Sequence, residues 1–444
     1  MMASNALPTN NLAMNTRASR LGLGIPSHVW PAIFISYAAV LPQELAINLG
    51  GAVLFPYRLV MLGCIPWLFN SFLTGKLKAH PVDAITGLVS AWLIISMIVN
   101  APMLKALEFG GSHAIDFGLA YFAGRASLRN TKDFKTYFRA LLPLLVGVAL
   151  VLMIESMLHR HFIRPSIAQL LGQPAPSLHQ QSRMGLYRAT GPFPHPILGG
   201  VFMASLLPLA LFATERKLWL CVGLLVACSM IFTVSSTAIL CFLFALLLIA
   251  VLWLQKASRG PVLLLAIVVS VTFMGLISVA ADSDPFTFAI YRFTLDPNSG
   301  YWRLLIWEHA GAEALNNPIF GIGLRDWSRP PFMVTSSIDS HFLLWSMQFG
   351  FVAGVGCFLV FVWSALSLLW NASQQNKAAA KVSLGLSICL LSIAFSGFSV
   401  ALWGGLASWS YMLCGAAISI GTPKLVSGRS QADGLANRIS DGHN

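Results

Sequence analysis

The stretch SSIDSHFLLW, residues 336–345, places a carboxylate and an imidazole, Asp339 and His341, at the edge of a long apolar run. Either side chain could take a proton from a hydroxyl group, so the pair predicts general-base chemistry, for which imidazole is better suited near neutral pH. Residues two apart on a helix point about 200° from each other, so both could serve one reacting atom only at an irregular helix start. The alternative is that Asp339 and Ser340 cap the helix that follows, a role that both residue types favour.

Two long segments of the chain, 159–195 and 281–340, contain eight arginines and no lysine. Arginine stays charged and its planar group binds two phosphate oxygens at once, which lysine does less well. The set therefore predicts an anionic ligand, either a phosphate or a sulfated or carboxylated sugar. The alternative is that each arginine pairs with a nearby acid such as Asp282 or Asp326. The arginines are Arg160, Arg164, Arg183, Arg188, Arg292, Arg303, Arg325 and Arg329.

The first of these segments ends in YRATGPFPHPILGG, residues 187–200. Its glycines and prolines break helical structure and predict a tight turn just before an apolar run. An arginine held at such a turn needs an anion to offset its desolvation, which makes Arg188 a candidate ligand. His195 lies between two prolines, so it is either part of the same site or a histidine fixed by packing in a rigid turn.

The second segment contains GYWRLLIWEHAGAEALNNP, residues 300–318, whose apolar residues recur at helical spacing. This predicts an amphipathic surface helix over 301–315. Arg303 and Trp307 are four apart and share one face of it. An indole ring stacks on sugars while a guanidinium binds phosphate, so the pair suits a sugar phosphate. The alternative is an interfacial tryptophan beside a snorkelling arginine. Arg292, earlier in this segment, is a further candidate ligand.

The sequence NNPIFGIGLRDW, residues 316–327, follows this helix. Pro318 should end the helix, and Gly321 and Gly323 should let the backbone fold back. The two glycines are too few and wrongly placed for a nucleotide-binding loop, so no phosphate-binding role is assigned to them. The acids of DSD, residues 282–284, are similar to metal ligands of nucleotide-sugar transferases but also form a common loop start, and no metal site is predicted.

The elements that must position these residues are strongly apolar. Of the 444 residues 56% are hydrophobic and only 10% are charged. The apolar residues fall into blocks of roughly 17 to 25, the length that a helix needs to cross about 30 Å of hydrocarbon. We therefore predict an all-α polytopic membrane protein with twelve transmembrane helices, at roughly 29–49, 54–75, 83–100, 108–125, 140–158, 196–213, 218–235, 237–254, 261–280, 342–369, 382–400 and 402–420.

The distribution of basic residues predicts the orientation of these helices. Short basic loops mark the cytoplasm, which places both termini inside and the two arginine segments outside as large loops. The predicted organisation is a polar cytoplasmic tail over 1–28, a transmembrane domain over 29–421, and a disordered cytoplasmic tail over 422–444. The first residues lack the apolar core and cleavage site of a secretory signal, so the first span should serve as an uncleaved anchor.

The seven cysteines all lie inside apolar blocks. This position predicts small buried hydrophobic residues and neither disulfides nor metal ligands. No pattern in the sequence predicts a cofactor.

Charged residues inside the predicted spans are few, chiefly Arg58 and Asp116. Transporters and lipid flippases carry ionisable groups within their spans and often consist of two related halves. The chain shows no convincing internal repeat, and its polar residues concentrate in the two outer loops instead. Chemistry at the membrane surface is therefore favoured, with a transporter or lipid-linked glycan flippase, or a non-catalytic glycan-binding protein, as the alternatives from another class.

Taken together, these features resemble the bacterial O-antigen ligase and polymerase family, integral-membrane glycosyltransferases that use polyprenyl-diphosphate-linked glycans. In that family an outer-face helix typically opens with His-Asn, and a glycine follows eleven positions after the histidine. Gly350 places Asp339 and Ser340 in the two slots, so the expected histidine is replaced and His341 lies two residues beyond. The resemblance covers most of the chain and further includes Arg188 with the following GPFPHP, Arg303, Trp307, Pro318, Gly321, Gly323 and Gly354.

The resemblance implies a mechanism at these positions. Arg188 and Arg303 would hold the diphosphate and neutralise the charge of the leaving group. Asp339 or His341 would deprotonate or orient the acceptor hydroxyl as it attacks the anomeric carbon, with inversion and without a metal or cofactor. The family also implies a location in the bacterial inner membrane with the site facing the periplasm. Arg292, Trp307 and His195 would help to bind the diphosphate or the glycan.

Within this family, polymerases join lipid-linked repeat units into O-antigen, capsule or exopolysaccharide, whereas ligases transfer a finished glycan to lipid A core. Ligases rely on the His-Asn pair, so its replacement here favours a polymerase, with a ligase as the alternative. The implied partners are a polyprenyl-diphosphate-linked glycan donor, a glycan or lipid A core acceptor, membrane lipid, and a flippase and chain-length regulator. No nucleic acid is expected among them.

Overall fold

The computed structural model describes residues 20–21, 24–49, 52–75, 77–178, 182–183, 185–258, 297–372 and 375–422. Over these ranges the chain is mostly helical, in agreement with the predicted fold class. Short strands form three antiparallel hairpins. The strands are β1 (Arg20–Leu21), β2 (Ile25–Pro26), β3 (Ile47–Leu49), β4 (Ala52–Leu54), β5 (Ser182–Arg183) and β6 (Leu186–Tyr187).

The described part of the chain contains seventeen α-helices, which supply nearly all of its packed structure. They are α1 (Trp30–Ala39), α2 (Pro56–Gly63), α3 (Ile65–Leu73), α4 (Pro81–Asn100), α5 (Met103–Ala114), α6 (Ala120–Ser127), α7 (Thr131–Leu158), α8 (Ile163–Leu170), α9 (Pro196–Ser205), α10 (Leu207–Ala213), α11 (Lys217–Cys228), α12 (Ser236–Ser258), α13 (Pro297–Asn316), α14 (His341–Phe349), α15 (Phe351–Ala372), α16 (Lys377–Ser396) and α17 (Gly404–Gly421).

Six helical stretches in the described ranges are long and apolar enough to cross a membrane: α4, α7, α9 together with α10, α12, α15 and α16. Each coincides with a predicted span, and α11 with the 3₁₀ turn Ser229–Thr233 forms a shorter apolar helix at the position of a seventh. The chain is therefore a multi-pass membrane protein. The total of twelve spans and their sidedness stay predictions, and the predicted span 261–280 lies outside the described residues.

Proline shortens or divides the first two predicted helices. The predicted span 29–49 was too long, because α1 ends at Ala39 and the chain continues through Pro42 into the hairpin of β3 and β4. The predicted span 54–75 is two helices, with Pro66 in the first turn of α3. Proline has no N–H to donate, and its ring disfavours helical geometry in the residue before it.

Glycine divides the predicted helix 342–369 into α14 and α15. Gly350 between them has φ 86°, a backbone angle that is not helical, and a Cβ on it would collide with the backbone of Ile319. The loop that approaches there contains Gly321 and Gly323, which have φ 63° and 64°. Their predicted role in folding the backbone back is confirmed, because left-handed angles of this kind favour glycine. The predicted surface helix 301–315 is also present, as the longer α13.

Helix α17 lies in the interior of the bundle, where nearly all of its side chains are buried. It packs closely on α6, since a Cβ at Gly415 would meet the backbone carbonyl of Tyr121. Four cysteines are buried as predicted, but the prediction is wrong for Cys221 and Cys228, which lie exposed on α11. Helix α11 forms the outside of the bundle at that point, so its apolar side chains do not all face the core.

The two ends of the bundle carry different polar structure. At one end Arg125 donates to both oxygens of Asp83, at 2.9 and 2.8 Å, and Lys135 binds Glu215. At the other end of α4, Asn100 donates to a backbone carbonyl in the loop that precedes α14. We call this second end the site end, because the helices α9, α12, α14 and α17 all begin there.

Candidate functional site

A cavity of about 470 Å³ lies at the site end, where α9, α12 and α14 begin and α13 passes in its first turns. We call it the arginine pocket. It brings together four of the residues predicted from sequence: Arg188, His195, Arg303 and Asp339. The predicted ligand Arg292 lies outside the described residues. The other residues that line the pocket are Arg183, Ile197, Ser235, Ser236, Ser299, Ser337, Val400, Ala401 and Trp403.

The hairpin of β5 and β6 presents two of the arginines. Its register pairs Arg183 with Leu186, and Arg188 follows directly after β6. Arg188 is almost fully buried, with 4% of its surface exposed. The next residue, Ala189, donates its backbone N–H to the carbonyl of Phe232 at 3.0 Å. The chain around Arg188 is thereby tied to the segment that leads into α12, which fixes the backbone position of Arg188 beside the pocket.

Glu155, near the end of α7, holds the turn between Arg188 and His195 and was missed in the sequence. Its side chain is fully buried and accepts backbone N–H groups from Thr190 at 3.1 Å and Gly191 at 2.8 Å. It also contacts His161 Nδ1 at 3.2 Å. An acid inside an apolar helix, a few residues before a polar loop, was the only signal that could have revealed this role.

A strained residue sets the start of α12. Val234 ends the 3₁₀ turn Ser229–Thr233 with φ 43° and ψ 53°, a left-handed conformation that β-branched residues rarely adopt. The reversal places Ser235 and Ser236 on the wall of the arginine pocket. Neighbouring Gly200 allows α9 to approach this turn, because a Cβ there would collide with the side chains of Thr233 and Ala238. Packing between α9 and the turn therefore stabilises the strained conformation.

Helix termini add to the positive field of the pocket. Ile197 and Ser236 belong to the first turns of α9 and α12, and Ser299 belongs to the first turn of α13. Helix N-termini carry partial positive charge and unpaired backbone N–H groups, so they favour anions. Together with three arginines they form an environment suited to a polyanion such as a diphosphate. The sequence could not show that separate helices begin at one place.

His195 is held in the rigid turn and also lines the arginine pocket. It caps α9, because its Nδ1 accepts the backbone N–H of Ile197 at 3.2 Å. Its ring lies 6.2 Å from that of Trp403, and both residues line the arginine pocket. The histidine is therefore held rigidly by the turn and also contributes to the pocket wall.

Asp339 lies half-buried on the wall of the arginine pocket. Its Oδ1 accepts a hydrogen bond from the Ser337 hydroxyl at 3.2 Å. Ser340 occupies the N-cap position of α14 but makes no capping hydrogen bond, and its hydroxyl instead donates to the carbonyl of Gly397 at 3.3 Å. The capping alternative is thus not what the structure shows. Asp339 presents its carboxylate to the same cavity as the three arginines.

His341 points elsewhere. It is the first residue of α14 and only 1% exposed, with its Nε2 2.6 Å from the hydroxyl of Tyr411 and 3.8 Å from the Cys357 sulfur. These partners belong to α17 and α15 in the bundle interior. His341 does not line the arginine pocket as the described residues define it. The side chains of Asp339 and His341 therefore have different surroundings, although Asp339 precedes the helix and the predicted helical angle does not apply to it.

Trp307 also lies apart from the pocket lining. Its indole N–H donates to the carbonyl of Phe398 at 3.0 Å, and its ring is stacked near the ring of the same residue. The indole that lines the pocket with Arg303 belongs to Trp403 instead, just before α17. Trp403 was missed because nothing in its local sequence distinguishes it from other interfacial tryptophans.

Two other arginines of the segments pair with acids, as the alternative predicted. Arg164 donates to Glu44 at 2.9 and 2.5 Å in a buried pair and also to the carbonyl of Pro194 at 3.2 Å. Arg329 binds Asp326 at 2.5 Å, and its guanidinium lowers the pKa of that carboxyl. Neither arginine lines the arginine pocket. The structure thus separates arginines that brace the loops from those that face the cavity.

Comparison with known protein families adds an independent observation. Residues 221–358 match the O-antigen ligase family model. Over these residues the match confirms the resemblance predicted from sequence, and it supports a glycosyltransferase-like function of the O-antigen ligase or polymerase type. Such a function implies a lipid-linked glycan donor and a glycan acceptor. The matched O-antigen ligase region contains Arg303 and Asp339, whereas Arg188 and His195 reach the same pocket from outside it. A comparison with curated proteins found no match.

Proposed function

We propose that this protein polymerises polyprenyl-diphosphate-linked repeat units into a surface polysaccharide at the outer face of the bacterial inner membrane. The observation that supports this most is the arginine pocket, in which Arg183, Arg188 and Arg303 surround the same space as the carboxylate of Asp339. Fixed cations that bind a diphosphate and a carboxylate that accepts a proton are the two requirements of glycosyl transfer from this donor.

The reaction follows from these positions. The arginines and the helix N-termini bind the diphosphate and stabilise the charge that grows on it as its bond to the anomeric carbon breaks. A hydroxyl of the acceptor glycan attacks that carbon from the opposite face, and its proton passes to Asp339. The lipid diphosphate leaves with the electron pair, and the configuration at the anomeric carbon inverts because attack and departure occur on opposite faces. No step requires a metal ion, and His341 supports α14 through Tyr411.

The matched family is named for ligases, which makes transfer of a finished glycan to lipid A core the second candidate. The replacement of the family's His-Asn pair by Asp339 and Ser340 supports the polymerase. A deletion strain distinguishes the two functions through its glycans. Loss of the polymerase leaves single lipid-linked repeat units, whereas loss of a ligase leaves long lipid-linked chains and bare lipid A core. The second profile would contradict the proposal.

Alanine variants of the arginine pocket test the catalytic claim. We expect Arg188→Ala and Arg303→Ala to reduce the rate of polymer formation about a hundredfold each, because each removes a cation from the developing charge. Arg329→Ala is the matched control, since this arginine lies in the same loop region but pairs with Asp326 away from the pocket. The assay uses protein in lipid nanodiscs with purified lipid-linked repeat units and measures polymer length on gels.

Two outcomes of that assay decide between classes of protein. If both pocket variants insert stably and form polymer at the control rate, the protein is not the catalyst and a flippase or glycan-binding role is favoured. If the control variant loses activity as severely as the pocket variants, the effect reflects general disruption of the loops and the assignment of the arginine pocket fails.

A further inference from the structure

A second cavity, of about 200 Å³, adjoins the arginine pocket. The two share Trp403, and the turn after β6 contributes Pro192, Phe193 and Pro194 to the second cavity and His195 to the first. Trp403 and this turn therefore form the wall between them. We call the smaller space the neighbour cavity. Its exposed rim includes Gln43, and its floor lies between α2 and the π-helical turn Ile115–Leu119.

The floor of the neighbour cavity is polar. Arg58 and Asp116 form a buried bidentate pair, with Arg58 Nε 2.8 Å from Oδ1 and the second guanidinium nitrogen 2.6 Å from Oδ2. The remaining guanidinium nitrogen donates to the carbonyl of Val53 at 2.9 Å. Tyr57 is only 3% exposed, and its hydroxyl lies within interaction distance of the Arg58 guanidinium and the Asp116 carboxylate, although no bond between them has ordinary geometry. The ion pair and this hydroxyl therefore form one polar surface on the cavity floor, where a ligand hydroxyl improves their hydrogen bonding.

The charge of this floor differs from that of the arginine pocket. Arg58 is neutralised by Asp116, so the pair has no net charge, whereas the described lining of the larger cavity includes three arginines and one carboxylate. The groups that remain for a ligand are mostly hydrogen-bond acceptors. They are the carboxylate of Asp116 and the ring of His113, whose Nδ1 lies 2.9 Å from the carbonyl of Phe109 and donates to it, so that the other ring nitrogen can accept. Such groups bind hydroxyl donors and disfavour phosphate. Aromatic side chains of Phe55, Phe193, Trp345 and Trp403 supply the walls.

We propose that the neighbour cavity binds one neutral sugar residue of the acceptor glycan, an inference that rests on the proposed function. Aromatic faces stack on the apolar face of a sugar ring, while hydroxyl groups around the ring bind Tyr57 and Asp116. The volume is below the roughly 300 to 1,000 Å³ of pockets for drug-sized ligands, so it suits a single ring. A sugar of the acceptor glycan held beside Trp403 brings the attacking hydroxyl of that glycan close to the donor in the arginine pocket.

An isoprenoid chain is the less suitable occupant. Hydrocarbon on the floor would remove water from the Arg58–Asp116 pair and from the hydroxyl of Tyr57 without offering any hydrogen bond in its place. A lipid chain gains nothing from these groups, whereas a sugar satisfies them. The polar floor therefore distinguishes the two ligands.

Tyr57→Phe tests the proposal, because it removes only the hydroxyl and preserves the packing of the ring. The probe is the soluble repeat-unit oligosaccharide, released by mild acid from the lipid-linked units of a strain that lacks the protein. Its binding to the full-length protein in nanodiscs is titrated by saturation-transfer NMR. We expect Tyr57→Phe to weaken this binding at least fivefold. The matched control Tyr37→Phe removes a hydroxyl that donates to the carbonyl of Ala140 and does not line the cavity, and it should change binding less than twofold.

A second probe, inorganic pyrophosphate, makes the outcomes distinguishable. If Tyr57→Phe leaves oligosaccharide binding unchanged, or weakens binding of undecaprenyl phosphate alone, the sugar site is overturned. If Tyr57→Phe weakens oligosaccharide and pyrophosphate equally, the variant disturbs both cavities and the assignment also falls. If oligosaccharide binding depends on Tyr57 but pyrophosphate binding does not respond to Arg303→Ala, the neighbour cavity stands and the proposed donor site fails.

Discussion

Replacement of Glu155 by glutamine should weaken the turn that carries the first half of the site. The carboxylate is fully buried and accepts hydrogen bonds from three backbone N–H groups, those of Phe162 at 3.2 Å, Thr190 at 3.1 Å and Gly191 at 2.8 Å. It also lies 3.2 Å from His161 Nδ1. Glutamine preserves one acceptor oxygen, but its amide group cannot accept from the N–H groups that face the other.

The loss can be estimated from these bonds. Each hydrogen bond to a charged acceptor contributes about 1.5 to 3 kcal/mol, so the loss of one or two lowers the free energy of unfolding by about 2 to 5 kcal/mol. The turn that follows Arg188 then loses its anchor. Because small misplacements of binding groups strongly reduce rates, we expect polymer formation to fall at least about tenfold. A lower midpoint of thermal unfolding in detergent should accompany this loss.

The neighbouring residue supplies a matched control. Ser156 is equally buried on α7, and its hydroxyl has no hydrogen-bond partner among the described residues, so Ser156→Ala should leave both measurements unchanged. The measurements are polymer yield in nanodiscs and thermal unfolding followed by intrinsic fluorescence. If Glu155→Gln matches Ser156→Ala in both, the carboxylate does not hold the turn and the reasoning is wrong.

Asp339→Asn should reduce polymer formation about a hundredfold because the amide cannot take the acceptor's proton, while the loop control Asp326→Asn retains activity in the same gel assay. His341→Phe should retain most of the activity and lower thermal stability, because it leaves a buried tyrosine hydroxyl without its partner; a stable but inactive protein would assign the base to the histidine instead. Gly350→Ala should prevent stable insertion, measured as membrane yield, because its φ of 86° excludes a side chain, whereas Gly311→Ala in open space on α13 should not. Equal yields for the two alanine variants would show that the break before α15 is not strained.

The apolar blocks of the sequence were sufficient to predict the helical membrane fold, because the length needed to cross hydrocarbon and the absence of charge are local properties. The positions where helices end within those blocks were harder to predict. Pro42, Pro66 and Gly350 mark such ends, but proline is also tolerated in transmembrane helices and glycine is common there. Whether such a residue ends a helix depends on what packs beside it, as the loop at Ile319 shows for Gly350.

For the candidate site, residue type determined which side chains were suspected, and tertiary structure decided which of them meet. Eight arginines in two loops predicted an anion site, since arginine is the residue that binds phosphate oxygens in pairs. Only the fold separates Arg188 and Arg303, which face the arginine pocket, from Arg164, which binds a buried acid. Both kinds of arginine have the same charge and lie in the same two loops, so the sequence alone cannot distinguish them.

The pair in SSIDSHFLLW shows the same division. The sequence by itself determined that a carboxylate and an imidazole lie beside the start of an apolar helix and that, if both lay on a regular helix, they would point about 200° apart. It could not determine which of them faces the cavity, because that depends on how α14 is rotated against α15 and α17. The contact of His341 with Tyr411 fixes this rotation and leaves Asp339 on the pocket wall. Helix rotation is decided by packing between distant segments, which no local pattern records.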